Sequence, residues 1–263
     1  MRLLLVAGAL AGCSDVCGSF VAQDPTELRG IERCRVVDGE LLVMAGYRDE
    51  LVLPGLEEVT GRMIVEDVAV LDLPALERVG SGPSRGDLVV GGLSGRFAAP
   101  VLRTVGRGWY EEPDDGFLSE SRMEIRADGP TSVDLGSLEI PGGLLLDGLT
   151  APLDLPSLVS VGALGVSGRA PAAFSTPVLP VSLQVSDTTG LERLDVPQPG
   201  ALARLSILGN ADLRDVSLGL TAADVVEVVE NPALASFVSE LPCVDLDWRD
   251  NAMEAPDGAP GCR

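Results

Sequence analysis

The 263 residues contain no histidine and no lysine, and only 3% of them are aromatic. Without imidazole, Ser-His-Asp and Cys-His catalysis are excluded, as is every zinc site that needs a histidine ligand. All 19 cations are arginines, set against 40 acids, for a formal net charge of −21. A chain this acidic repels nucleic acid and anionic lipid surfaces, so no nucleic-acid partner is expected. With two Trp, two Tyr and five Phe in a chain that is 46% hydrophobic, the core must be built from Leu, Val and Ala. The 31 Gly and 19 Pro provide many turns and leave few places for long helices. No CxxC pair occurs, and the 208 residues between Cys34 and Cys243 contain no cysteine.

What is present is a phrase that returns. Residues 71–80 read LDLPALERVG and residues 153–162 read LDLPSLVSVG. The apolar-Pro step recurs at Leu53-Pro54, Leu73-Pro74, Ala99-Pro100, Leu155-Pro156, Thr176-Pro177 and Val196-Pro197, with Leu135-Gly136 filling one gap. Successive steps are 20, 26, 36, 20, 21 and 20 residues apart. A second phrase, apolar-x-apolar, keeps the same period. It falls at Leu41/Val43, Met63/Val65, Leu88/Val90, Met123/Ile125, Leu144/Leu146, Leu164/Val166, Leu183/Val185, Leu205/Ile207, Val226/Val228 and Leu246/Trp248. Two registers sharing one period mark an internal repeat.

A spacing of two puts both side chains of a pair on one face of a strand. Pro breaks the strand and turns the chain, and Gly after the "ERV" or "VSV" phrase supplies a further corner. Each repeat is therefore expected to be one coil of a solenoid made of short strands. A lone coil cannot bury enough apolar surface to offset the entropy of ordering it, so the coils must stack. About ten coils at ~4.8 Å each predict a rod or gentle arc on the order of 45 Å long. The stretch 221–224 is expected to be a turn that leads into a strand.

Asn210, Asn231 and Asn251 each fall three residues after the last inward residue of a strand, and Thr188 holds the same slot one coil earlier. Asn stacked in register can bond backbone groups of its own and the adjoining coil. The pattern L-x-x-L-x-I-x-x-N-x-x-L over residues 202–213 resembles leucine-rich repeats. The Asn231-Pro232-Ala233-Leu234 variant, the LP.L..V.G phrases and the cysteine-paired ends are more similar to the receptor L domain, over residues 28–251. That resemblance implies a mainly all-β, right-handed β-solenoid with little helix, and a sheet face that binds ligand. No individual binding residue carries over, because no site motif matches.

At the N-terminus one Arg precedes an apolar run, residues 3–12, too short to span a bilayer. Leu10-Ala11-Gly12-Cys13 resembles the lipobox of bacterial lipoproteins. The resemblance implies a signal peptide over 1–12, a palmitate-type lipid on Cys13, and a tether over 13–27. Ser14 after the cysteine implies the outer membrane, with surface exposure or secretion as variants of that address. An N-terminal acyl chain would then make the membrane contact.

The other four cysteines form two local pairs, and Cys17–Cys34 with Cys243–Cys262 is the favoured pairing. The loops of 18 and 20 residues are each worth about 3 kcal/mol in the chain-entropy model. Metal binding is the alternative, although no CxxC motif or histidine supports it. The second bridge would close a C-terminal cap, residues 252–263. No cofactor is expected.

The longest repeat holds the insertion 107–121. Trp109, Tyr110, Glu111, Glu112, Asp114 and Asp115 there could grip a glycan or a cationic peptide, or hold Ca²⁺. The plainer reading is an acidic loop whose aromatics cover the solenoid edge. Glu66, Asp67, Asp87, Arg126, Asp147 and Asp187 lie at or just beyond strands. A carbohydrate-active β-helix enzyme would need such acids clustered in one groove, whereas scattered outward acids are ordinary solvated surface. The expectation is a monomeric, non-catalytic envelope lipoprotein that binds a glycan or protein or serves a structural role. An exported carbohydrate-active enzyme using surface carboxylates is the alternative.

Overall fold

A computed structural model describes residues 15–23, 27–44, 50–82, 86–106, 122–153, 155–176, 178–239 and 245–254. The chain is a β-solenoid of about nine turns, one fewer than the repeat count suggested. Every recorded strand pairing is parallel, as coils stacked one above another require. Among the described residues the helical element is a 3-10 turn, Glu27–Gly30, and no helix is long and apolar enough to cross a membrane.

One long sheet forms a continuous wall. Its strands run in order from Val36–Val43 through Met63–Val65, Leu88–Leu93, Arg122–Ala127, Gly143–Asp147, Ala163–Arg169, Ser182–Thr189, Ala201–Leu208 and Ala222–Val229 to Asp245–Arg249. All ten apolar pairs read from the sequence stack in register on this wall. Leu41 pairs Met63, Met63 pairs Leu88, and the series continues to Val226 with Leu246. A one-residue slip would turn every inward side chain to water, so burial itself fixes the register. Leu73 and Leu155, from the two copies of the repeated phrase, join one continuous apolar core.

The second wall is divided into two four-stranded sheets. The first stacks Glu50–Val52, Val70–Asp72, Arg96–Ala98 and Ser132–Asp134. The second stacks Ala173–Ser175, Arg193–Val196, Asp215–Leu218 and Ser236–Ser239.

The Pro step makes a tight turn in five coils. The N–H of Leu56, Leu76, Leu102, Leu138 and Leu158 donates to the carbonyl three residues back, at 3.4, 3.2, 3.1, 3.0 and 3.1 Å. Pro suits the second turn position because its φ is already set, and the flanking residues point inward. Gly136 serves the same turn without Pro. The chain then runs into two-residue strands, Glu58–Val59, Arg78–Val79, Thr104–Val105 and Ile140–Pro141. Gly80 (φ 77°) and Gly106 (φ 82°) follow two of them at the next corner.

Past residue 162 the same step behaves differently. Val196-Pro197 leads directly into Ala201–Leu208 with no such turn; Ser-free "PQPG" has no Leu at the third position after Val196. Residues 222–224, expected to be part of a turn, belong to the strand Ala222–Val229, because Ala222 and Ala223 continue the ladder against Ala201 and Leu202. A strand, Val16–Ala22, also occupies the stretch expected to be a tether, and it pairs with Val36–Val43.

On the other side of the long sheet the chain turns through left-handed residues, two positions after eight of the ten inward pairs. The series is Asp67 (φ 58°), Gly92 (72°), Gly148 (74°), Gly168 (66°), Asp187 (53°), Gly209 (64°), Glu230 (60°) and Asp250 (55°). The N–H of Asp67, Gly148, Gly209 and Glu230 donates to a carbonyl of the next coil at 3.0–3.1 Å, so the ladder continues round the corner.

Candidate functional site

The strand Arg122–Ala127 alternates strictly. Met123 and Ile125 are fully buried, so Arg122, Glu124 and Arg126 share the outward face. There Glu124 is enclosed between two guanidinium groups. Arg126 Nε donates to Glu124 Oε1 at 2.5 Å. Arg122 Nη2 lies 2.9 Å from Glu124 Oε2, in an ion-pair contact not aligned as a hydrogen bond. Arg126 Nη1 also approaches Glu66 Oε1, two coils away, at 3.8 Å. The Glu124 side chain is only 12% exposed. Its hydrogen bond is the leading cause that holds the Arg126 guanidinium above its ordinary range. On the neighbouring coil Asp87 is buried, and its Oδ1 accepts the Arg122 N–H at 3.0 Å.

This cluster is the most enclosed charged group described on the long sheet. Glu124, contacted on both sides, has its carboxylate engaged by protein groups rather than open to a substrate. Arg126, Glu66 and Asp87 were legible as residues near strands. Arg122 and Glu124 were not singled out, although the Arg-x-Glu-x-Arg alternation around Met123 and Ile125 was the available signal.

Of the other acids weighed from the sequence, Asp147 joins this cluster: it is the register partner of Arg126 on the next strand, and its charge adds to the raising of that guanidinium. Asp67 and Asp187 sit in the left-handed corner series. Among the described residues no group of three or more His, Cys, Asp or Glu could hold a metal ion. A recess lined by Leu146, Leu149, Leu153, Val166, Arg169 and Phe174, with Ala151 and Pro171, encloses about 10 Å³, room for about one water.

The proposed ladder residues meet directly. Asn210 Oδ1 accepts the Thr188 N–H (3.1 Å) and hydroxyl (2.7 Å). Asn231 Oδ1 accepts the Asn210 N–H (3.2 Å) and Nδ2 (2.9 Å), and Asn251 Oδ1 accepts the same two groups of Asn231 at 3.0 and 2.9 Å. Each Asn Nδ2 also donates to a carbonyl of the preceding coil, on Val185, Ile207 or Val228. Thr188, Asn210 and Asn231 are buried, so this chain of bonds satisfies the polar groups that the corner would otherwise strand.

Cys17 and Cys34 are disulfide-bonded, with Cα atoms 5.8 Å apart. Cys13, Cys243, Cys262 and the loop residues Trp109, Tyr110, Glu111, Glu112, Asp114 and Asp115 lie outside the described residues. No family model, no curated protein and no solved structure matches the chain.

Proposed function

We propose that this chain is an exported, lipid-anchored and non-catalytic module of the cell envelope, a receptor-L-domain-like solenoid that binds a glycan or protein or serves as a structural spacer. The observation that carries the reading is the Cys17–Cys34 bond, which begins four residues after the lipobox-like Cys13. Disulfides persist in oxidising compartments, and this one ties the first coil to the base of the proposed anchor. A lipid on Cys13 would hold the rod at the membrane, with its walls available to a partner. The Asn ladder and the Asn231-Pro232-Ala233-Leu234 turn support the L-domain likeness.

Labelling with radioactive palmitate tests the anchor. Label and membrane fractionation should both be lost in Cys13→Ser; an unlabelled wild-type protein, or label that persists in Cys13→Ser, rejects it. For the binding role, the mature domain is applied to glycan and envelope-protein arrays. Retention without product formation is expected, and turnover of any glycan would favour the carbohydrate-active alternative.

That alternative draws on the Glu66–Arg126–Glu124–Arg122 cluster. Glu124 is contacted by both arginines and its side chain is only 12% exposed, which leaves it little access to a substrate, so the binding reading is preferred.

A further inference from the structure

We infer that the coil of residues 148–162 is a built-in seam, and that the solenoid is two blocks, 15–147 and 163–251, joined there by the long sheet and by the corner bonds of Val159, Ser160 and Gly162 beside it, with the second wall missing. Four observations converge on this coil. First, the second wall stops at Ser132–Asp134 and resumes at Ala173–Ser175, and no described residue of 148–162 is in a strand. Second, the cause is visible in the sequence. Pro152 takes the slot filled by Glu50, Val70, Arg96 and Ser132, the first strand residues of the earlier coils. Proline has no N–H, so the ladder cannot pass through it.

Third, the interior leaks at this level. Leu146, Leu149, Leu155, Leu158, Val166 and Phe174 are 4–8% exposed, whereas Leu71, Leu73, Leu88, Leu183, Leu205 and Val228 are 0%. The 10 Å³ recess opens among the same side chains. Fourth, the corner architecture changes here. The short strands end with Ile140–Pro141, and the four long-sheet strands that follow the seam have seven or eight residues, against three to six in the four that precede it.

Across the seam the long sheet is intact, with Gly143–Asp147 paired to Ala163–Arg169 at five positions. A structure tied along one wall and open on the other bends about the tied wall. The seam is therefore where this rod flexes, and where its two blocks begin to separate. A local opening of this kind draws on the least-protected backbone and leaves the flanking blocks folded.

Native-state hydrogen exchange of the full chain, read by mass spectrometry, tests the inference without any substitution. Amides of 149–157, which donate no bond of the second wall, should exchange at least roughly tenfold faster than those of 63–82, 86–98 and 183–229, and limited proteolysis should cut first within 148–162. Protection that is equal within about threefold along the chain, or a first cut elsewhere within the described strands, overturns the seam. Pro152→Val restores the missing donor. It should slow exchange of 131–135 and 148–162 severalfold and leave 205–229 unchanged. Unchanged exchange in that variant overturns the assignment of the break to the proline.

Discussion

The blocks on either side of residue 150 close the same corner with opposite chemistry. In the N-terminal block the residue after the left-handed position is Val68 or Leu93, fully buried among apolar neighbours. In the C-terminal block, after Arg169 in its first coil, the same slot holds Thr188, Asn210, Asn231 and Asn251, joined by side-chain and backbone hydrogen bonds. One backbone path thus accepts either solution. Apolar burial needs only shape and volume. The amide ladder needs every member present, because each Asn both accepts from and donates to the coil before it. The N-terminal block should therefore degrade one residue at a time, and the C-terminal block as a unit.

The largest effect is expected from Asn210→Leu. It removes the acceptor of the Thr188 N–H and hydroxyl and the Nδ2 bond to the Val185 carbonyl, and it leaves Asn231 Oδ1 with the backbone N–H of residue 210 alone. Urea denaturation should register a loss of about 3–5 kcal/mol, and exchange protection should fall through 188–231 together rather than at one coil. Leu73→Ala in the N-terminal block should cost about 3–4 kcal/mol by leaving a cavity. Leu155→Ala at the seam should cost about 2 kcal/mol, because a partly open site relaxes more easily. Equal losses at the two leucines would erase the distinction between seam and block.

Removing the Cys17–Cys34 bond by a double change to Ser should cost about 3 kcal/mol. It should loosen Val16–Ala22 first, since that strand holds the edge of the stack. Glu230→Gly should stabilise the C-terminal block by about 1 kcal/mol, as Glu230 at φ 60° carries a strain that Gly escapes. The reverse experiment, Gly209→Ala, should destabilise: φ is 64°, and the new Cβ would stand 2.6 Å from Asp187 Oδ1.

The smallest effect concerns pH. Hydrogen bonds from Arg78 and Ser81 hold the Glu58 carboxyl below its ordinary range, and Arg35 does the same for Glu57. The folded state therefore binds these protons less readily than the unfolded state. The stability the pairs contribute is present above the ordinary glutamate value, about 4.3, and fades as pH falls through the lowered values. Thermal midpoints should be flat from pH 8 to 5 and decline below, more gently in 0.5 M salt-matched controls of Arg78→Gln, where the Glu58 pair is absent.

Much of the fold was legible because burial enforces a period. The pairs from Leu41/Val43 to Leu246/Trp248 are the register partners of the long sheet, and Leu135-Gly136 turns as its Pro-bearing relatives do. What escaped lay where period and propensity part company. Val16–Ala22 was missed because Gly18 and Ser19 interrupt its alternation and the register shifts between Gly18 and Phe20. The Pro step was read as one corner throughout, yet at Val196-Pro197 it makes no such turn before the chain enters Ala201–Leu208. The Glu124 cluster was obscured because outward residues obey no repeat; their partners come from neighbouring coils, and only the fold brings Glu66 toward Arg126.

The central claim is that one stack of coils runs unbroken through the long sheet. It is tested most directly by a pulsed-EPR distance between nitroxide labels at Ile64 and Gln184, two outward positions. The register links them through Val89, Glu124, Leu145 and Gly165, a path of five coil steps. Stacked coils predict a narrow distribution with backbone positions about 24 Å apart, at ~4.8 Å per step. A separation far from that value, or a distribution too broad to define one, would contradict the stack.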